Sequence, residues 1–362
     1  MQAAGKGSEP PIERQETFLA RYPRNLKLGI LAVFLAVILV PWLLAGHHGA
    51  SSKVSEKPLP VQGADSKAAI PNPKLQVPGV SSSVLTTSGF INAQDDHTVK
   101  LVPAPDEGLT EDTPEGSLPR IGADGRQPWQ VYARPFNTAD TRPRIAIVVT
   151  NLGQSRTDSD MAIAQLPMNV TLAFDSQSPV VGAWCNRARQ DGHEALLMVP
   201  MEPFDYPRSD PGPNTLLTGL PNTDNIIRLQ NVLRMATGYV GITTVSGSRF
   251  TTNPEKLDPV LDLLKHRGLM ILDAHVAPHS AVPDIAHERK IPVAMSTEQL
   301  DQNLAPEAID DALNQLEKTA RLTGRAIGIT APYPLMIQKL QDWLKTLPER
   351  GIALAPVSAM VR

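Results

Sequence analysis

From residue 144 onwards, short continuous apolar runs alternate with longer stretches in which apolar side chains recur every three or four positions. A continuous apolar run is typical of a strand buried on both faces, whereas the wider spacing predicts an amphipathic helix. The predicted strands are 145–149, 170–174, 195–199, 239–243, 269–273, 326–330 and 352–356. The predicted helices are 157–165, 181–190, 225–235, 257–266, 306–322 and 335–347.

The alternation of strands and helices extends over about 220 residues and predicts an α/β fold with a parallel sheet. Gly192, Gly268, Gly324 and Gly351 follow predicted helices, where a left-handed residue commonly ends a helix. About seven strands favour a distorted (β/α) barrel over an open sheet. In both architectures, functional side chains gather at the C-terminal ends of the strands.

Near the N-terminus, residues 28–46 form an uncharged, strongly apolar run. Its 19 residues are close to the roughly 20 that cross a bilayer as a helix. Arg14, Arg21, Arg24 and Lys27 precede the run, and the next basic residue is Lys53. The positive-inside rule therefore predicts a cytoplasmic segment 1–27, a single-pass anchor in the inner membrane, and a periplasmic remainder. A cleaved signal peptide is the alternative, although its apolar core is usually shorter.

Residues 47–142 are rich in proline and small polar residues and show little periodicity. Such a composition buries too little apolar surface to offset the entropy of ordering, so it predicts a disordered periplasmic linker. Within it, residues 129–133 (WQVYA) predict one short strand that packs on the domain that follows. The predicted organisation is thus 1–27, 28–46, 47–142 and a folded domain at 143–362.

Composition removes several classes of function. The net charge of −3 gives no basic field for nucleic acid, so no nucleic-acid partner is expected. The single cysteine, Cys185, excludes an intrachain disulfide and a cysteine-based zinc site. Aromatic residues are 4% of the chain, too few to predict an extended surface for stacking sugars.

The segment 192–203 (GHEALLMVPMEP) resembles a signature of the divergent polysaccharide deacetylase family. The segments 212–216 (GPNTL), 238–241 (GYVG), 247–251 (GSRFT) and 267–269 (RGL) match that family in the same order. The resemblance extends over about 144–361. It implies a distorted barrel like those of NodB-type deacetylases and glycoside hydrolases, a periplasmic location, and a role in carbohydrate metabolism of the cell envelope.

The chain departs from this family where metal ligands are expected. The family's Asp-Asp pair is replaced by Thr150-Asn151, and its two liganding histidines are replaced by Val245 and Ala331. A hydrolytic metal needs imidazole or carboxylate ligands and a water whose pKa it lowers, and valine and alanine offer neither. The resemblance therefore implies a deacetylase whose metal chemistry is impaired or lost, with no cofactor expected.

A replacement ligand set would restore a zinc site. Asp273 and His275 directly follow a predicted strand, and in an extended segment their side chains would point to one face. His279 and His287 follow shortly after, in a segment that Pro278 and Pro283 predict to be a loop. The alternative is that Asp273 and His275 form a polar rim and that the histidines are solvated.

Other polar residues near the predicted strand ends complete the candidate site. The catalytic candidates are Asn151, Glu202, Asp273 and His275, and the ligand-binding candidates are His193, Arg249, Ser248 and Tyr206. Glu202 either faces the cleft or is buried in an ion pair with Arg249. His193 either acts as a general base or stabilises a turn through a structural hydrogen bond. Ser248 lacks the sequence pattern of a serine hydrolase.

Three functions remain open at this point. The chain is a deacetylase with an altered metal site, a silent relative that binds a glycan or a partner through the old cleft, or an envelope protein that uses the domain as an interaction surface. Each of the three functions is compatible with a glycan or another cell-envelope component as the partner, and with a protein that is attached to the membrane.

Overall fold

The computed structural model describes residues 99–244 and 246–361. The predicted anchor 28–46, the segment 1–27 and the first half of the predicted linker lie outside the described residues. Within 99–244 and 246–361, no helix is both long and apolar enough to cross a membrane. The anchor and its orientation therefore stay predictions from the sequence.

The described domain is built around a parallel β-sheet. The strands of the described residues are β1 Thr110–Thr113, β2 Gly116–Pro119, β3 Arg144–Leu152, β4 Thr171–Asp175, β5 Ala195–Val199, β6 Gly241–Thr244, β7 Met270–Asp273, β8 Val293–Met295, β9 Glu298–Gln299, β10 Arg325–Thr330 and β11 Ala353–Leu354. The main sheet has the order β8-β7-β6-β5-β4-β3-β10-β9, and β11 pairs with the start of β3. The predicted α/β fold with a distorted (β/α) barrel is confirmed, with nine strands in this sheet where about seven were expected.

The sheet curls because one continuous stretch, residues 293–299, contacts both of its edges. Its first part, β8, pairs with β7, and its second part, β9, pairs with β10. Between them, Ser296 N donates to Asp273 O at 2.9 Å and Thr297 N donates to Ile327 O at 2.9 Å. The barrel is therefore distorted at this seam, where a single bent stretch spans both edges.

Side-chain alternation along the strands creates two apolar layers. On β3, Ile145, Ile147 and Val149 belong to the layer between sheet and helices, whereas Ala146 and Val148 belong to the barrel interior. All five are fully buried. This explains why the sequence of β3 is continuously apolar, since both faces of the strand lie against protein.

The described helices cover the outside of the sheet, except the first, which lies at the amino ends of the strands. They are α1 Pro128–Val131, α2 Arg156–Gln165, α3 Val181–Gln190, α4 Asn222–Leu233, α5 Pro254–His266, α6 Val282–Arg289, α7 Pro306–Thr323 and α8 Pro334–Thr346. Ser155 and Asn253 cap α2 and α5 by accepting a hydrogen bond from a backbone N–H. The predicted glycine stop is also found, since Gly324 ends α7 with φ +82°.

The segment around Pro283 corrects a prediction. It was expected to be a loop, but it forms α6, followed by the short strands β8 and β9. Pro283 lies in the first turn of α6, where the missing N–H has no intrahelical partner to lose. His287 consequently lies on a helix, with its side chain exposed.

The described part of the predicted linker is folded. Residues 99–142 contain a 3₁₀ turn Glu107–Leu109, the β1–β2 hairpin and α1. Helix α1 replaces the predicted strand at 129–133, with Pro128 in its first turn. Leu109 and Leu118 are only 1% and 2% exposed, so the prediction of a disordered linker is wrong for residues 99–142.

Buried charged side chains hold this segment against the amino ends of the strands. Arg134 donates from Nη1 to Gly192 O at 2.9 Å, and Arg189 donates to Tyr132 O at 2.9 Å and Val102 O at 2.7 Å. Because the arginine stems are buried and their guanidinium groups bind backbone carbonyls, polar contacts order a segment that has little apolar content.

Glu194 lies at the same end of the barrel and is completely buried. Its carboxylate accepts hydrogen bonds from Ser358 N at 3.1 Å, Arg134 N at 3.2 Å and Thr171 Oγ1 at 3.3 Å, and also from Ser358 Oγ. Burial raises the pKa of Glu194, and the hydrogen bonds from Ser358 partly oppose that increase. Glu194 thus joins both the N-terminal segment and the C-terminal 3₁₀ turn to the barrel.

Candidate functional site

A cleft opens at the carboxyl ends of β4, β5 and β6. It has a volume of about 440 Å³ and is lined by Asp175, Gln177, Met198, Pro200, Pro203, Asp205, Ser209, Asp210, Pro211 and Ser246. A larger cavity of about 680 Å³ lies along α7, lined mainly by side chains of that helix and of residues 298–303. We assign the candidate site to the smaller cleft because parallel β/α folds place functional groups at the carboxyl ends of strands.

The loop that follows β5 forms one wall of this cleft. The Gln177 side chain donates a hydrogen bond to Pro211 O and thereby ties the loop to the turn after β4. Gly212 has φ +101°, and a Cβ at this position would overlap the Gln177 amide. The loop therefore requires glycine here both for its backbone conformation and for the close approach of Gln177.

Asp175 ends β4 and points its carboxylate into the cleft wall. Its Oδ1 accepts from Gln177 N at 2.9 Å and its Oδ2 accepts from Gln154 Nε2 at 2.8 Å. Both donors are neutral, so the side chain is oriented without its charge being cancelled by these contacts.

Glu202 supports the loop after β5 and is absent from the lining of the cleft. Its side chain accepts from Thr218 Oγ1 at 2.7 Å and lies 3.3 Å from Arg249 Nη1. Its backbone carbonyl accepts from the N–H groups of Arg249 and Phe250 at 3.0 and 3.1 Å. Glu202 is only 4% exposed. Its contacts join two loops, so the role of this side chain is structural.

The remaining predicted residues of this region also make local contacts. Ser248 Oγ accepts from Phe204 N at 3.1 Å, and Ser246 Oγ donates to Met201 O at 2.9 Å. Tyr206 is half-buried in the same loop, and the Arg249 side chain is 51% exposed. Ser248 and Arg249 therefore flank the cleft without lining it.

Asn151 lies at the rim of the cleft. It is exposed and has φ +56°, a left-handed conformation that asparagine tolerates better than most residues. Its N–H lies 3.1 Å from Met198 Sδ, and Met198 lines the cleft floor. The preceding Thr150 donates from Oγ1 to Thr330 O at 3.2 Å, which joins β3 to β10.

Asp273 and His275 do not form the chelate that a replacement ligand set would need. His275 is exposed and has φ +53°, so the backbone turns directly after β7, and the His275 N–H donates to Asp273 Oδ1 at 2.9 Å. The expectation that both side chains point to one face required an extended segment and is wrong. Asp273 is fully buried, and its Oδ2 has no hydrogen-bond partner among the described residues.

The residues at the family's ligand positions do not fit a catalytic metal ion. Asn151 is exposed at the rim, and Ala331 has no donor side chain; its backbone N–H donates to Asp301 Oδ2 at 2.7 Å. Val245 lies outside the described residues. Among the residues that are described, no group of three or more His, Cys, Asp or Glu side chains is placed to hold a metal. A zinc site needs at least three such ligands.

His193 lies at the opposite end of the barrel from the cleft. It precedes β5 and is 1% exposed, with Nδ1 2.9 Å from Val170 O and Nε2 3.1 Å from Ile163 O. Burial lowers the pKa of His193, although these carbonyl contacts oppose the decrease. The proposed role of His193 in ligand binding is therefore wrong, since it ties a turn beneath the sheet.

The side chains that line the cleft and were not predicted as site residues include Asp175, Gln177 and Met198. Asp175 had a usable signal, because it directly follows a predicted buried strand, where parallel sheets expose side chains to the cleft. Met198 had a similar signal, since it is the next-to-last residue of the predicted strand β5. Gln177 had none, because its contact with Pro211 O depends on the loop after β5.

The fold and the position of the cleft define a (β/α)-barrel domain with its site at the carboxyl ends of the strands. This chain belongs to the divergent polysaccharide deacetylase family, whose model matches residues 147–361, more than half of the chain.

The chain is also similar to three further proteins. An uncharacterized protein of Agrobacterium tumefaciens C58, ATU2773, has a crystal structure that matches with a TM-score of 0.66 and 39% identity, covering 68% of this chain and 100% of that one. An uncharacterized protein of Haemophilus influenzae is 26% identical over 207 residues, which are 57% of this chain and 72% of the relative. The uncharacterized protein YibQ of Escherichia coli is 25% identical over 219 residues, which are 60% of this chain and 67% of the relative.

Proposed function

We propose that this chain is a glycan-binding member of its family in which metal-dependent deacetylation is impaired or lost. The observation on which the proposal depends is the cleft at the strand ends, whose volume of about 440 Å³ lies in the range of small-molecule sites. Its lining combines hydrogen-bonding side chains, such as Gln177 and Ser246, with the apolar surfaces of Met198 and the prolines. Sugars need both kinds of contact, since their rings carry hydroxyl groups and C–H faces.

The loss of hydrolysis is supported by the chemistry of the donor set. Amide and methyl groups replace the carboxylates and imidazoles that lower the pKa of a metal-bound water. The exposed Asn151 can still donate and accept hydrogen bonds at the rim. The residues at the family's metal-ligand positions are therefore better suited to binding a glycan than to hydrolysing it.

An active deacetylase with an altered ligand set is the second candidate. The observation in its favour is the unpartnered Oδ2 of Asp273, because a buried carboxylate oxygen without a donor often marks a site for a water or an ion. Metal analysis separates the two candidates. One zinc per chain, lost on His275→Ala, would support the deacetylase.

Glycan binding is expected to depend on the loop that Gly212 holds against Gln177. We expect saturable binding of an N-acetylglucosamine oligosaccharide to the full-length protein in detergent, measured by isothermal titration calorimetry without added metal. Gly212→Ala should weaken it by about tenfold or more, since a Cβ displaces the Gln177 amide from Pro211 O and strains the backbone of the loop.

Gly351→Ala is the matched control for this experiment. Gly351 also has a left-handed backbone, with φ +69°, but a Cβ there would meet no atom within 4 Å. The control should therefore share the backbone strain and keep the binding. Equal loss in both variants, or no binding in the unmodified protein, would contradict the proposal.

We also propose that residues 28–46 anchor the protein in the inner membrane with the domain in the periplasm. Deleting residues 1–46 is expected to move the protein from the membrane fraction to the soluble fraction, because the long apolar run lies there. A reporter enzyme that works only outside the cytoplasm should be active when fused after Arg362 and inactive when fused after Lys27. The reverse pattern would refute the orientation.

A further inference from the structure

The lining of the cleft is negatively charged. Three of its ten lining residues are the aspartates 175, 205 and 210, and none of the ten is lysine, arginine or histidine. The remaining lining side chains are neutral. A ligand in this cleft therefore meets hydrogen-bond acceptors with a formal negative charge.

Neutral groups hold these carboxylates in place. Asp175 accepts from Gln154 and Gln177, Asp210 accepts from Gly212 N at 2.9 Å, and Asp205 accepts from Ser209 Oγ at 2.5 Å. The Ser209 hydrogen bond also lowers the pKa of Asp205, which keeps that side chain ionised. These contacts orient the carboxylates and leave their charge available to a ligand.

Two arginines of the neighbouring loops, Arg208 and Arg249, do not cancel this charge. Arg208 approaches Asp205 at 3.7 Å, but its side chain is 84% exposed, so the pair is weak. Arg249 pairs with Glu202, an acid outside the lining. The acidic groups of the cleft therefore exceed the basic groups near it.

We infer that the ligand of this cleft is a de-N-acetylated glycan, an oligosaccharide whose amino sugars carry free ammonium groups. This inference rests on the proposed glycan-binding function and names the chemical class of the glycan. The cavity defines the site, and its carboxylates decide the charge of the ligand. An ammonium group gains a charge-assisted hydrogen bond from a carboxylate, which a neutral acetamide does not. An anionic sugar would be repelled.

The test compares two oligosaccharides that differ in acetylation alone. The full-length protein in detergent is titrated with a glucosamine trimer and with the N-acetylglucosamine trimer, below the pKa of the sugar amine and at low salt. We expect the glucosamine trimer to bind about tenfold more tightly, as one charge-assisted hydrogen bond implies. The preference should shrink as salt is added, since the cleft is open to solvent.

Asp175→Asn tests the residue assignment. It keeps the shape of the side chain and removes its charge, so we expect the ratio of the two affinities, measured within this variant, to fall towards one. Asp342→Asn is the control, because Asp342 is a surface aspartate on α8 whose side chain is 72% exposed. A thermal melt of each variant establishes that it is folded.

The outcomes separate the inference from the proposed function. Equal binding of both trimers, or tighter binding of the acetylated one, refutes the amino-sugar inference and leaves glycan binding in place. Binding of neither trimer refutes the proposed function itself. A preference that survives in Asp175→Asn and in the corresponding Asp205→Asn and Asp210→Asn variants overturns the assignment to the carboxylates.

Discussion

Replacing Glu194 with alanine is expected to lower the free energy of unfolding by about 3 kcal/mol, because several buried donors then lose their acceptor. The N–H groups of Ser358 and Arg134 and the hydroxyl of Thr171 all donate to this carboxylate. Guanidinium unfolding followed by tryptophan fluorescence measures the change. Glu349→Ala, at an exposed position beyond α8, should change stability little. A similar small change in Glu194→Ala would show that the buried network contributes little.

The same residue predicts a pH dependence of stability. Burial raises the pKa of Glu194 above its ordinary value of 4.5, so the folded protein binds this proton more tightly than the unfolded chain does. The corresponding stabilisation is fully present below the unfolded pKa and is lost as the pH rises through the folded pKa. Glu194→Gln should remove this dependence, and Glu349→Gln should retain it. Parallel pH profiles for the unmodified protein and Glu194→Gln would refute the assignment.

The second large effect concerns metal binding. Restoring the family's ligands by Asn151→Asp, Val245→His and Ala331→His together is expected to raise the affinity for zinc by about a hundredfold or more, since a catalytic zinc needs three protein ligands. Asp301 already accepts from the N–H of residue 331 and is placed near a restored histidine. Competition with a chelating dye measures the affinity.

The control for this experiment is Asn151→Asp alone, which adds one ligand and should bind zinc weakly. The unmodified protein is expected to hold no stoichiometric divalent metal and to deacetylate N-acetylglucosamine polymers far more slowly than an active relative. An unmodified protein with one zinc per chain, and a deacetylase activity lost on His275→Ala, would show that another ligand set exists.

The sequence predicted the elements of the barrel well, because buried parallel strands have a strong local signal. Ile145 to Val149 and Ala195 to Val199 lie in observed strands, and the helix ends at Gly192 and Gly324 are where glycine was expected to place them. The apolar runs identify such elements without knowledge of their neighbours.

Two regions could not be predicted in this way. Residues 99–142 fold through contacts of Arg134 and Arg189 with distant backbone carbonyls, and such contacts have no local pattern. Helix α6 was missed because Pro283 suggested a loop, although a first-turn proline is compatible with a helix.

The candidate site was predicted only in part, for a physical reason. Sequence alone indicates which residues follow a strand, but the direction of a side chain depends on the backbone beyond the strand end. His275 turns away through its left-handed conformation, and His193, one residue after a glycine, is buried at the other end of the barrel. Asp175 enters the cleft because the loop after β5 folds over it.

The buried arginines that bind residues 99–142 place this segment and the cleft at opposite ends of the barrel. The chain enters at the amino ends of the strands, where Val102 O meets Arg189, and the cleft opens at their carboxyl ends. The described part of the chain therefore begins on the face opposite the cleft mouth. A polymer much longer than the cleft can lie across that mouth and continue on both sides without meeting residues 99–102.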